Sequence, residues 1–250
     1  MPSPPAIAKT WGPSVETFLL GNVDFHTCLA LQNRLVYEAG GRADGQISLL
    51  LCEHPPAITV GRSGSRAHVR LSPGELNSRQ LQIDWVNRGG GAVLHLPGQL
   101  AVYPIVPLEP HGWSVGEYLR RFEAGLLATL EELGVRGSLQ AGCRGIWGRS
   151  GQLVILGAAV KNWITYHGAF INVAPAMGGF RSIDTDPIGG SAMSSLVVER
   201  QQPVKMTTVR AALIGCLAAA LECERYHIYS GHPLLPRLCK AKHESNARAV

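Results

Sequence analysis

The chain has 250 residues, 46% apolar and 16% charged, with 29 Gly and 16 Pro, which allows a sizeable core and argues against a disordered or fibrous chain. Its formal charge of +5 is concentrated at one end: Arg237, Lys240, Lys242 and Arg248 against Glu244 give residues 236–250 a charge of +3. The remainder carries no basic stripe interleaved with aromatics, so a nucleic-acid surface is not expected.

The opening MPSPPAIAKTWGP has no charged head followed by an apolar run and does not read as a signal peptide. Residues 1–14 read as an extension. Asp24 precedes a helical segment in which Cys28, Leu31, Leu35 and Val36 recur, with Gly40-Gly41 as its stop. ISLLLCE, AITVG, IDWVNR and LAVYPIV follow as strand-like runs. Ser114 and Glu117 form a capping box before the stripe Leu119, Phe122, Leu126, Leu130 and Leu133, which Gly134 ends. Arg149-Ser150-Gly151 marks a hairpin before a strand from Gln152 to Val160, and AFINV is the next strand. Thr207 or Thr208 caps a last helix through Leu213, Leu217 and Leu221. This order lacks the alternation of a doubly wound sheet and predicts an α+β fold, a mixed sheet packed with helices, in one domain over about residues 15–235. The longest apolar stretch, Ala211 to Leu221, is far shorter than the roughly 20 residues that span a bilayer. The six cysteines show no CxxC pair and no metal-ligand spacing. A reduced, cytoplasmic setting is the default expectation, and residues 236–250 form a basic tail able to meet an acidic partner.

Two segments carry chemistry. In RGGGAVLHLPGQ, residues 88–99, three successive glycines let backbone N–H groups approach a ligand and form a concave donor surface. The segment matches neither the GxxxxGK[ST] loop nor a GxGxxG helix start. In LGAAVKNWITYHGAFINV, residues 156–173, Gly157 interrupts a strand and His167-Gly168 opens the next, as expected where a ligand or another backbone comes close.

Four landmarks in order carry a specific resemblance: LGNVDFHTCLALQ, EHPPAITVGR, RGGGAVLHLPGQLAVYPI, and LGAAVKNWITYHGAFINV followed by Phe180, Ile183 and SSL. Over about residues 17–235 the chain resembles the octanoyltransferases of lipoate biosynthesis, which have the biotin/lipoate protein ligase fold. The resemblance implies transfer of an octanoyl group from acyl carrier protein to the lysine of a lipoyl domain in a 2-oxoacid dehydrogenase complex or glycine cleavage protein, with no cofactor and no metal. It implies an acyl-pocket loop at Arg88, Gly89, Gly90, Gly91, Ala92, Val93, Leu94 and His95. It also implies a wall at Ile155, Leu156 and Gly157, and an opposite wall at Gly168, Ala169 and Phe170. An apolar slot suits an octanoyl chain, each buried CH₂ contributing about 0.8 kcal/mol.

The resemblance breaks at the chemistry. The family nucleophile is a cysteine in a Pro-Cys-Gly turn after the Phe-x-x-Ile element, assisted by a lysine before the pocket glycine. Alignment on Phe180, Ile183 and Ser195-Leu196 puts Asp186 at the cysteine position, and alignment on Gly157 and His167 puts Gln152 at the lysine position. Aspartate cannot stand in as a thioester-forming nucleophile. Three repairs follow. Cys143, beside Arg144, could be a relocated nucleophile; Asp186, near Asp184, could deprotonate the incoming lysine for direct transfer; Lys161 could stand in for the missing lysine. His95 and His167 read as orienting groups. Two other functions compete: an inactive module binding an acylated carrier or lipoyl domain, and an ATP-dependent lipoate ligase, which Gln152 disfavours.

Overall fold

The computed structural model describes residues 13–185, 192–236 and 239. Its centre is set by segments too apolar to face water on either side. β2 (Ile47–Glu53), β6 (Gln99–Ile105) and β9 (Ile164–Asn172) are buried almost end to end. Such runs belong in the middle of a sheet covered on both faces. They are joined by β1 (Ser14–Asn22), β7 (Gly145–Trp147), β8 (Gln152–Lys161) and β10 (Arg225–Ser230) in the order β10-β1-β2-β6-β9-β8-β7. β1 runs parallel to β2 and β10, and the other neighbours are antiparallel. A small second sheet, in the order β4-β3-β5, holds β3 (Ala57–Val60), β4 (Ile83–Trp85) and β5 (Ala92–His95). The architecture is the expected single α+β domain with mixed sheets. Among the described residues no helix is long and apolar enough to cross a membrane.

α3 (Val115–Glu132) and α5 (Met206–Ala220) cover one face of the large sheet, where Phe122, Leu126, Leu213 and Leu217 meet Leu49, Leu51, Val102 and Val154. α1 (Phe25–Gly40) and the small sheet cover the other, and the short helix α2 (Pro73–Ser78) packs Leu76 on the far side of the small sheet. Asp24 caps α1 through Thr27 N–H at 3.0 Å, and Ser114 caps α3 through Glu117 N–H at 3.1 Å. Glu117 itself turns to Arg120 and Arg121, so only the serine half of that capping box forms. α5 starts earlier than expected. Its N-cap is Lys205 with no side-chain bond, which puts Thr207 and Thr208 inside the first turn and not at a cap. β9 likewise begins at Ile164, so His167-Gly168 lies in mid-strand, and Gly157 continues β8 by pairing with Gly168.

Several sequence landmarks are fasteners. Gln99 of PGQ donates to Asn172 Oδ1 at 2.9 Å, and Asn172 donates to Ser194 O at 3.0 Å. Glu53 of EHPP accepts from Gly98 N–H at 2.9 Å and pairs with Arg210 of α5 at 3.3 Å. Glu199, in the short helix α4 (Leu196–Arg200), accepts from the N–H groups of Arg149 and Ser150 at 2.9 and 2.8 Å and so anchors the β7–β8 hairpin.

Candidate functional site

Strand alternation sorts the expected pocket residues. On β5, Val93 and His95 point toward the large sheet while Ala92 and Leu94 pack on the far side of the small sheet with Ile58, Val60 and Phe180. On β8 and β9, Ile155 and Phe170 are cross-strand partners that face Val93, whereas Leu156 and Ala169 face the helical core. Val93, His95, Ile155 and Phe170 therefore meet between the sheets. Gly89, Gly90, Leu156 and Gly157 instead line a cavity of about 320 Å³ at the edge of β8, with Arg62, Arg144, Val115, Tyr118 and Leu119.

The glycines serve close approach. A Cβ on Gly157 would lie 2.6 Å from Gly89 O, and one on Gly168 would lie 2.1 Å from Val102 O. Gly89 N–H donates to Ala158 O at 3.0 Å, docking the loop on β8. Gly91 accepts from Gly61 N–H at 3.0 Å. Behind the loop, Arg88 is fully buried and donates to Thr59 O, Thr59 Oγ1 and Gly89 O at 3.0, 2.8 and 3.0 Å. Among the described residues no carboxylate pairs with it. Burial lowers its pKa to about 10, so it remains a cation at neutral pH.

Three buried histidines surround Phe25, a residue that sequence reasoning did not single out although it lies in the first landmark. Its ring is 5.2 Å from His95, 5.4 Å from His54 and 6.5 Å from His167, centroid to centroid. His54 was also missed. Its Nδ1 lies 2.6 Å from Val23 O, so that nitrogen carries the proton, and Nε2 lies 2.7 Å from Tyr103 Oη. Burial lowers the pKa of His54 to about 4. Burial and then Arg88 lower that of His167 to about 3, and burial, His54 and Arg88 push His95 well below its ordinary value. All three are neutral at pH 7. His167 also adopts φ +54 inside a strand, with its N–H held by Gln32 Oε1 at 2.8 Å. Such backbone costs on the order of 1–3 kcal/mol and clusters at functional sites. His95 Nδ1 and His167 Nδ1 are buried without hydrogen-bond partners.

The nucleophile candidates divide sharply. Asp186 lies outside the described residues. Its neighbours Asp184, Thr185 and Ala192 line a second cavity of about 350 Å³, where Arg70 grips Asp184 at 2.5 and 3.1 Å. Gln152 is buried, its Nε2 near Arg144 O and Val154 O at 3.3 and 3.4 Å and its Oε1 unpartnered. A neutral amide there supplies no cation to a thiolate. Cys143 is partly exposed in the turn just before Arg144, which lines the 320 Å³ cavity. The other five thiols lie elsewhere: Cys28, Cys52 and Cys223 are buried, Cys216 donates to Glu132, and Cys239 is half-buried beyond β10. Lys161 is nine residues along β8 from Gln152, about 30 Å in an extended strand.

Residues 24–218 match the lipoyl protein ligase A/B catalytic domain. The chain belongs to that family. It is 35% identical to an octanoyltransferase of Chloroflexus aggregans over 84% of this chain and 96% of the relative. It is 37% identical to an octanoyltransferase of Geobacter metallireducens over 78% and 88%. A Thermoplasma acidophilum structure, of a bipartite lipoate protein ligase and its E2 lipoyl domain, superposes with TM-score 0.67 at 13% identity, covering 91% of each chain. That likeness shows the shared fold.

Proposed function

We propose that this protein is an octanoyltransferase of lipoate biosynthesis, moving an octanoyl group from the thioester of acyl carrier protein to the lysine amine of a lipoyl domain. The observation that carries this reading is identity above one third with octanoyltransferases along nearly their whole length. The donor and acceptor are inferred from those relatives. Six cysteines outside any disulfide suit a reducing cytoplasm.

Cys143 is the nucleophile we assign. Its thiolate attacks the thioester carbonyl, the carrier thiol leaves with a proton, and the resulting acyl-cysteine is attacked by the lysine amine. The amide forms and the thiol is restored. Arg144, the next residue, lines the 320 Å³ cavity. The octanoyl chain lies against the apolar residues of the glycine loop and β8.

The test is to incubate the protein with octanoyl-carrier protein and an apo lipoyl domain and to weigh each protein. We expect an octanoyl adduct on the chain, lost in Cys143→Ala together with transfer. Transfer that survives Cys143→Ala but not Asp186→Ala would replace this mechanism with direct transfer. Binding without transfer, with or without ATP, would leave only a binding module.

A further inference from the structure

Two cysteines and a histidine meet beneath the start of α1. Strand alternation turns Cys52 and His54, at the end of β2, toward α1, while Glu53 between them pairs with Arg210 of α5. Cys28, one turn into α1, reaches the same point from 24 residues earlier in the chain, a convergence that cysteine spacing does not reveal. Among the described residues these three are buried, with their ligand atoms all within 4.8 Å of one another.

The separations are those of a tetrahedral metal site. Cys28 Sγ lies 3.9 Å from Cys52 Sγ, and Cys52 Sγ lies 3.6 Å from His54 Nε2. With Zn–S of about 2.3 Å and Zn–N of about 2.0–2.1 Å at tetrahedral angles, those edges come to about 3.8 and 3.6 Å. His54 is also oriented as a ligand. Its Nδ1–H is taken by Val23 O at 2.6 Å, which leaves the Nε2 lone pair toward the sulfur. Tyr103 Oη, 2.7 Å from Nε2, is an oxygen in reach of a fourth position. Gln32 supports the sulfur of Cys28. Its Oε1 accepts from His167 N–H at 2.8 Å, so its Nε2 is the group that donates to Cys28 Sγ at 3.8 Å, an arrangement that favours negative charge on that sulfur.

We propose that Cys28, Cys52 and His54 bind one zinc ion that ties α1 to β2. On binding, both thiols release their protons to solvent and the imidazole stays neutral. Two thiolates then cancel the charge of the divalent ion, so the buried site as a whole is neutral, as its surroundings require. Thiolate and imidazole donors disfavour calcium and magnesium, which take oxygen. Tyr103 gives up its bond to Nε2, and its hydroxyl oxygen completes the set. Because the ligands are buried from solvent, the ion enters as the chain folds. The site does not depend on the acyl-transfer reading.

The test uses the full chain, refolded from urea under reducing conditions with zinc or with a strong chelator, and then desalted. Elemental mass spectrometry should find about one zinc ion per chain in the first case. Tm should be lower by about 5 °C or more in the second. Cys28→Ala should cut bound zinc roughly tenfold or more and erase the effect of the chelator. Cys216→Ala, at a thiol on the helical face, should keep both. An unaltered protein that holds no zinc after desalting, or a Cys28→Ala variant that keeps its zinc, overturns the proposal. Should Cys28→Ala fail to fold, cobalt bound by the unaltered protein decides. A sulfur-to-cobalt charge-transfer band of two-thiolate intensity, with the strong visible bands of four-coordinate cobalt, supports the site, and their absence overturns it.

Discussion

The two faces of the large sheet are buried alike and built from different chemistry. Under α3 and α5 the packing is almost entirely hydrocarbon: Leu49, Leu51, Val102 and Val154 against Phe122, Leu126, Leu213 and Leu217. Under α1 and the small sheet, the same depth holds His54, His95, His167, Arg88, Tyr103, Cys28 and Cys52. A cation without a carboxylate and three neutral imidazoles cost stability where leucines would add it. The difference is one of purpose in packing: one face holds the fold together through hydrocarbon, and the other keeps buried polar groups in place at a cost in stability.

The sharpest way to break this contrast is acid. An unfolded histidine takes up its proton near pH 6.5, while folded His54 resists until about 4 and His167 until about 3. Between these values the unfolded chain binds more protons, so stability is full above pH 6.5 and falls as pH drops. Each of the two contributes about 1.4 kcal/mol per pH unit in that window, roughly 3 kcal/mol per unit together. Urea midpoints measured from pH 7 to pH 4.5 should decline steeply. A flat profile would mean that the polar face is hydrated and not buried.

Legibility follows the same division. α1 and α3 could be read because a cap and a 3.6-residue stripe are local signals, and both begin where Asp24 and Ser114 say. β1 and β10 escaped because they make sense only together: they pair in parallel, Ser14 with Arg225, across nearly the whole chain. The glycine loop and its partners were visible as motifs. Their roles were not, since PGQ, the asparagine of HG-x-x-x-N and SSL prove to be mutually hydrogen-bonded. His54 was hidden because its partner, Tyr103, lies 49 residues away. Alternation could have separated Val93 and His95 from Ala92 and Leu94 had the segment been read as a strand.

A smaller effect tests the closeness of the functional face. Gly168→Ala places a Cβ 2.1 Å from Val102 O and 2.9 Å from Pro104 Cδ. Backbone oxygen and a proline ring cannot yield as a flexible side chain would, so β6 and β9 must part. We expect a loss of about 3 kcal/mol, seen as a lowered urea midpoint and poor soluble yield. Unfolding indistinguishable from the parent would disprove the close approach of Gly168 to β6.

The smallest effect concerns the helical face, where the same exchange should change sign with position. Gly215 lies within α5 and has nothing within 4 Å of a built Cβ, whereas Gly125 of α3 would meet Leu217 Cδ2 at 2.7 Å and Ala220 Cβ at 3.1 Å. Gly215→Ala removes chain freedom from the unfolded state and adds helix propensity, a gain of about 0.5–1 kcal/mol. That should raise Tm by about 2 °C in a domain of this size. Gly125→Ala gains the same propensity but pushes α3 away from α5, because Ala220 cannot rotate aside although Leu217 can. Calorimetry on the two variants should therefore separate them, one above the parent and one at or below it. If both rose equally, α3 and α5 would be packed more loosely than the contact at Gly125 requires, and the hydrocarbon face would owe its stability to burial alone.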